Sequence, residues 1–206
     1  MEKMQYFDFH THRMELLPDV TAIVNVGVND PWNNLPHVSV GVHPWDVGER
    51  WREQVERLRL RVQCAEVVAI GECGLDRVRG GAWDWQIPCF EAQVLLAQEF
   101  GKPVVVHCVR AFDELLAVRK QCGNVRMVVH GFRGNPTQAR QLMAHGLELS
   151  FGVLFNADSL RAAYEGGKMW LETDDSGVSI QEVYERASSA LNISPTDISV
   201  PGTIWF

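Results

Sequence analysis

The sequence predicts an α/β fold over residues 1–206, a single compact (β/α)8 barrel with trimmed outer helices in its N-terminal third. Three observations predict it. Eight short apolar, β-branched runs recur along the chain, polar helical patterns separate most of them, and metal-capable side chains keep falling at their C-terminal ends.

The runs are QYFDFHTH from Gln5, TAIVNVGV from Thr21, HVSVGVHP from His37, VVAIGECGLD from Val67, PVVVHC from Pro103, VRMVVHGF from Val125, LELSFGV from Leu147 and MWLETDD from Met169. Amphipathic segments at Trp51 to Val62, Trp85 to Phe100, Ala111 to Gln121 and Pro136 to His145 would cover the outside of such a barrel. Asn135 before Pro136 reads as a helix start, and Gly101, Gly123 and Gly146 read as stops. Val178 to Asn192 reads as a closing helix. The connections from His12 to Thr21 and from Asn29 to Pro36 hold Pro18, Pro31 and Pro36 and are too short for a covering helix, so the barrel is expected to be trimmed there.

Composition narrows the class of function. With 46% hydrophobic and 22% charged residues, the 206-residue chain can bury a sizeable core. A formal charge of −7 argues against broad electrostatic capture of nucleic acid, while leaving room for a local basic cleft. No run approaches the roughly 18 apolar residues of a membrane span, no secretion leader is evident at the amino terminus, and no obligate protein partner is suggested. The five cysteines are odd in number and form no CxxC pair, which points to buried core thiols and a cytoplasmic address.

The chemistry is expected at the strand ends, because a (β/α)8 barrel gathers its active-site residues at the C-terminal mouth. His10 and His12 close the first run, Glu72 the fourth, His107 the fifth, His130 the sixth and Asp174 the eighth. Two residues apart on a strand, His10 and His12 share one face and reach one ion. Each histidine alone has a plain alternative as a half-buried polar or capped core residue. That alternative would have to hold independently at several strand ends, so a mixed nitrogen and oxygen site for zinc, manganese or magnesium is the better reading. His43 ends the third run near the mouth and, with Arg77, Arg110 and Arg133, which all follow strand ends, is a candidate substrate-binding residue. Guanidinium groups pair bidentately with phosphate oxygens, although each of these arginines also fits a solvated loop. Trp45, Trp83 and Phe132 are candidate stacking surfaces for unpaired bases. His37 and His145 are expected to be solvent-exposed.

The motifs FDFHTH at Phe7, GVHPW at Gly41, GECGLD at Gly71, KPVVVHC at Lys102, HGFRGNP at His130 and LETDD at Leu171 follow one another in order, and the chain so read resembles the TatD-type metal-dependent hydrolases, a branch of the amidohydrolase-like barrels. The resemblance implies two divalent ions: one held by His10, His12 and Asp174, a second by His107 and His130, with Glu72 shared. It also implies a deoxyribonuclease or phosphodiesterase acting on DNA ends, in which Glu72 and Asp174 are catalytic. Asp174 is the expected acceptor of the water proton. Asp8 is expected only to orient a histidine. The chain departs from the family pattern at His107-Cys108-Val109, where His-Ser-Arg is usual and Arg110 comes one place late, and at His130-Gly131-Phe132-Arg133-Gly134, where His-Cys-Phe-Ser-Gly is usual. Two other functions fit the same residues: hydrolysis of a small amide, lactone or phosphoester, and a non-catalytic protein that retains its metals.

Overall fold

In the computed structural model, which describes residues 4–200, eight strands are hydrogen-bonded in one sheet in the order of the chain. They are β1 (Tyr6–Thr11), β2 (Val20–Gly27), β3 (Val38–Gly41), β4 (Val67–Asp76), β5 (Val104–Val109), β6 (Met127–Val129), β7 (Glu148–Phe151) and β8 (Met169–Leu171). Six α-helices follow β3 onward: α1 (Trp51–Arg61), α2 (Trp83–Phe100), α3 (Phe112–Gln121), α4 (Pro136–Ala144), α5 (Ala157–Glu165) and α6 (Ile180–Leu191). This is the predicted (β/α)8 class, and among the described residues no helix follows β1 or β2. Residues 12–19 return the chain from β1 to β2 in parallel register, Tyr6 opposite Val20. Eight extended residues reach roughly 26 Å at about 3.3 Å each, enough to recross a six-residue strand without a helix.

Among the described residues the chain divides into two compact units, 4–24 with 130–200 and 25–129; the predicted limits 1 and 206 lie outside the described residues. In the first unit the last strand returns to the first, with Phe7 and Phe9 against Trp170 at ring separations of 5.6 and 5.1 Å. Helix α6 backs this seam: the Tyr184 hydroxyl accepts from the Phe7 N–H (3.4 Å) and donates to the Phe7 carbonyl (3.3 Å). In the second unit all ten residues of β4 are buried, the pattern of a parallel strand covered on both faces.

Helix boundaries follow their end signals. Asn135 accepts from the Gln138 N–H with Pro136 at the first helical position, Asn156 caps α5 through Ser159, and Ser179 caps α6 through Glu182. Two sequence expectations are corrected, and one helix is added to those expected. α2 begins at Trp83 rather than Trp85, and Glu72 lies in the middle of β4 rather than at its end; the added helix is α5, whose start Asn156 marks.

Candidate metal centre

In the first unit, β1 and the end of β8 are pinned backbone to backbone at the histidine pair. The Asp174 N–H donates to the His10 carbonyl at 2.9 Å, and the His12 N–H donates to the Asp174 carbonyl at 3.2 Å. Asp174 takes a left-handed backbone (φ 52°), a conformation that Asp tolerates better than most residues. Its Oδ1 lies 3.6 Å from His10 Nε2 and 3.5 Å from His12 Nε2. Two ligands of one ion at bond lengths near 2.1 Å lie roughly 3.4 Å apart in a tetrahedral site. The donors therefore already stand at ligand spacing. His130 joins them, its ring 4.5 Å from that of His10, and donor atoms of His10, His130 and Asp174 all lie within 4.8 Å of one another. His130, grouped with His107 from the sequence, thus shares a cluster with His10 and Asp174.

The residues behind this cluster are buried carboxylates. Glu172 Oε1 accepts from the Gly131 N–H at 2.6 Å and stands 3.5 Å from His130 Nδ1. Asp8 acts on the neighbouring strand end, taking the Thr173 N–H (2.9 Å) and hydroxyl (2.6 Å). Burial pushes the Asp8 carboxyl up to about 7 against the opposing hydrogen bonds from Thr173.

In the second unit, Glu72 Oε1 lies 3.4 Å from His43 Nε2 and 3.2 Å from His107 Nδ1, and the three residues offer donor atoms within 4.8 Å of one another. Glu72 is set by Asn25, whose side-chain oxygen takes the Glu72 N–H (2.7 Å) and the Ser39 hydroxyl (3.0 Å) while its amide donates to Glu72 Oε2 (3.4 Å). Glycine is required where β4 meets its neighbours. A Cβ on Gly41 would stand 2.7 Å from the Glu72 carbonyl, and one on Gly74 (φ 144°) 2.0 Å from that of His107. Helix α2 reaches into the strand ends with two buried glutamines. Gln93 holds both backbone groups of Val42 (2.8 and 3.1 Å), next to His43, and Gln86 holds both of Asp76 (2.8 and 3.0 Å).

Asp76 itself faces the other side of His107, with Oδ2 3.2 Å from Nε2, and also accepts the Trp45 indole N–H at 2.8 Å. Burial pushes its carboxyl up, but the donors from Trp45, Arg79, Val78 and His107 outweigh that and leave it below the usual range. Both donor sets, imidazole with carboxylate at ligand spacing, fit a divalent ion of the zinc or manganese type.

The remaining sequence candidates are distributed as follows. Arg77 pairs with Glu114 and lies over Trp83, 4.0 Å from its ring centroid. Arg110, at φ 52°, and Arg133 are exposed. Trp45 is 43% exposed with Arg79 over its ring, whereas Phe132 is buried against Phe151 and offers no stacking surface. His37 is half-buried, and burial lowers its pKa, contrary to the expected exposure; His145 is exposed as expected. All five cysteines are free, and among the described residues no helix is long and apolar enough to cross a membrane.

A family model described as TatD related DNase matches residues 20–176. The chain belongs to this family. The match begins after His10 and His12, so the first histidine pair of this TatD-family chain lies outside the matched segment. The chain is 39% identical over 115 residues to the 3'-5' ssDNA/RNA exonuclease TatD of Enterobacter lignolyticus, covering 53% of this chain and 43% of the relative. It is 40% identical over 117 residues to that of Cronobacter sakazakii, covering 54% and 43%. The matches thus span less than half the length of these curated relatives. Among solved structures, the TatD homologue YjjV of Escherichia coli K12 aligns with a TM-score of 0.76 at 22% identity, over 94% of this chain and 93% of that one. A TatD family hydrolase of Entamoeba histolytica aligns with a TM-score of 0.73 at 16% identity, over 95% and 94%. These likenesses establish the fold.

Proposed function

We propose that this TatD-family chain is a divalent-metal-dependent hydrolase of phosphodiester bonds that shortens single-stranded or frayed DNA from an end. The observation that carries the reading is that each unit holds a three-residue cluster offering imidazole and carboxylate donors within 4.8 Å of one another. His10, His12, His130 and Asp174 are the proposed ligands in one unit, Glu72 and His107 in the other, with zinc, manganese or magnesium as the ion. When bound, such ions polarise a phosphoryl oxygen and bring the pKa of water down toward about 7.

The chain's own groups do the rest. Asp174, with its carboxylate 27% exposed beside two imidazoles, is the proposed proton acceptor, because it combines access to solvent with a fixed position. Glu72, 5% exposed and tied to Asn25, is a rigid anionic ligand. His43, Arg110 and Arg133 are the proposed contacts to the phosphate, with Arg77 contributing once released from Glu114. The half-exposed Trp45 offers its ring to an unpaired base. Five free cysteines fit a reducing, cytoplasmic compartment.

The test is turnover of end-labelled single-stranded oligonucleotides by purified protein supplied with manganese, magnesium or zinc, with a chelator control. Progressive shortening from one end that stops on chelation is expected. Intact oligonucleotides with turnover of a small ester or amide would move the substrate to that class, and no turnover on either would leave a metal-binding protein.

A further inference from the structure

We infer that Arg79, laid over the half-exposed ring of Trp45, is a further substrate-binding residue: it takes a phosphate other than the one at the His43–Glu72–His107 cluster, and so favours strands over single phosphoesters. The inference deepens the phosphodiesterase reading and rests on it for the identity of the strand.

Two loops of the second unit meet beside that cluster, one after β3 and one after β4. The Gly81 N–H donates to the Pro44 carbonyl at 2.9 Å, and the Gln86 amide donates to the Gly81 carbonyl at 2.8 Å. A Cβ on Gly81 would run into the Val47 carbonyl, so only glycine lets the loops close this far. Asp76 ties them at the other end. Its Oδ1 takes the N–H groups of Val78 and Arg79, each at 2.8 Å, and its Oδ2 takes the indole N–H of Trp45 at 2.8 Å. One carboxylate thus fixes both the ring and the backbone of the residue that covers it. The guanidinium carbon of Arg79 comes to 3.7 Å from the Trp45 ring centroid. An upright guanidinium would push a nitrogen about 1.3 Å nearer, inside contact distance of the ring, so the group lies along it.

That stack leaves the guanidinium's donors unspent. All five N–H bonds lie in its own plane, away from the indole face. Among the described residues the exposed Arg79 side chain has the indole as its contact and no carboxylate within ion-pair distance. Arg77, two places earlier, instead spends its charge on Glu114. A cation held by stacking rather than by a carboxylate keeps its charge for a ligand, and phosphate oxygens match its flat fork bidentately. The Trp45 ring that carries it lies 4.7 Å from the His43 ring and 5.9 Å from the His107 ring. The reacting phosphate belongs at the cluster, and a cation one indole removed meets a phosphate farther along the strand. Such a contact is the same before and during the reaction, so it lowers KM without raising kcat.

The test is steady-state turnover by metal-loaded protein of a single-stranded oligonucleotide and of bis(4-nitrophenyl) phosphate, which has a single phosphate. Arg79→Ala is expected to raise KM on the oligonucleotide about tenfold at unchanged kcat, and to reduce the salt slope by about one. On the single phosphoester the change in KM is expected to stay under about twofold. Arg79→Lys keeps the charge but not the fork, and should keep the salt slope and recover part of the loss. An abasic strand, which has the phosphates without the bases, should show the same loss as the oligonucleotide. An unchanged KM on the oligonucleotide, an equal loss on the single phosphoester, a loss that disappears on the abasic strand, or a Lys variant with the salt slope of Ala overturns the inference. If the wild type leaves the oligonucleotide intact, it is the proposed function that fails. Fluorescence anisotropy of the labelled strand then decides Arg79: weaker binding by Arg79→Ala keeps the inference, and equal or absent binding overturns it.

Discussion

The two histidine–carboxylate clusters reach the same chemistry by opposite construction. In the first unit, residues 10 and 12 are joined to the distant residue 174 by the backbone itself, as Asp174 bonds between His10 and His12, and only His130 is backed by a side chain, that of Glu172. In the second, residues 43, 72 and 107 are held by side chains reaching in from elsewhere: Asn25 and Ser39 on Glu72, Gln93 beside His43, Asp76 on His107. A main-chain ladder survives most substitutions, because every residue but proline keeps its N–H. A side-chain network loses its hold with a single change. The first cluster should therefore tolerate substitution around it, and the second should not.

The largest expected effect is common to both. Glu72→Ala and Asp174→Ala should each lower turnover by about a thousandfold, the scale of several kcal/mol of lost charge stabilisation; initial rates on an oligonucleotide measure this. A variant retaining a tenth of wild-type activity would remove that residue from the proposed machinery.

Metal count sharpens the contrast. His12→Ala and His107→Ala should each lose about one equivalent of bound ion by elemental analysis, since each removes a ligand from one cluster only. Loss of both ions from either variant would show that the clusters are not separately assembled. Saturating metal at about a hundred times Kd adds roughly 2.7 kcal/mol to stability, so chelation should lower the Tm by about 5–10 °C.

A smaller effect tests the networks. Gln93→Leu leaves both buried backbone groups of Val42 without their partner, a cost of about 1–3 kcal/mol, and should lower the Tm by roughly 3–10 °C together with metal affinity in the second unit. Thr11→Val, beside the ladder of the first unit, removes hydroxyl contacts to Thr173, Arg13 and the Asp174 carbonyl but no bond between two main-chain groups, and should leave metal binding within about twofold. Equal losses of metal affinity in the two variants would erase the proposed difference.

The smallest effect is on substrate. Arg133→Ala should leave turnover at saturation unchanged, weaken oligonucleotide binding a few-fold and reduce the salt slope by about one. An unchanged salt dependence would place Arg133 outside the phosphate path.

Much of this was legible in the sequence because a (β/α)8 fold writes its site into the ends of its strands. His10, His107 and Asp174 interrupt or end apolar runs where a packing residue would stand, and that is visible in one dimension. The supports are not visible in that way. Asp76 reads as an ordinary strand-end carboxylate until Trp45 and His107 are seen to converge on it. Gln86 and Gln93 did leave a signal: they sit seven apart on the face of α2 that also carries Cys89, Phe90, Val94 and Ala97. Polar residues on a buried stripe ask for buried partners. That the His130 ring stands beside the His10 ring was not legible, because strand order does not say which way a ring at a strand end turns. Phe132 was offered to solvent because position in a loop does not reveal that its ring meets Phe151.

The ladder at Asp174 also orders events in time. As the chain is synthesised, residues 25–129 form a continuous stretch whose contacts are all available once residue 129 has emerged. His10 and His12 have by then been waiting since the beginning, and the backbone that completes their strand edge lies 162 residues beyond His12, at Asp174. Non-local pairings of this length are slow to form and leave an open strand edge in the meantime. The side-chain-built cluster is thus expected to mature early and locally, and the backbone-built one to be the last lock to close on the growing polypeptide.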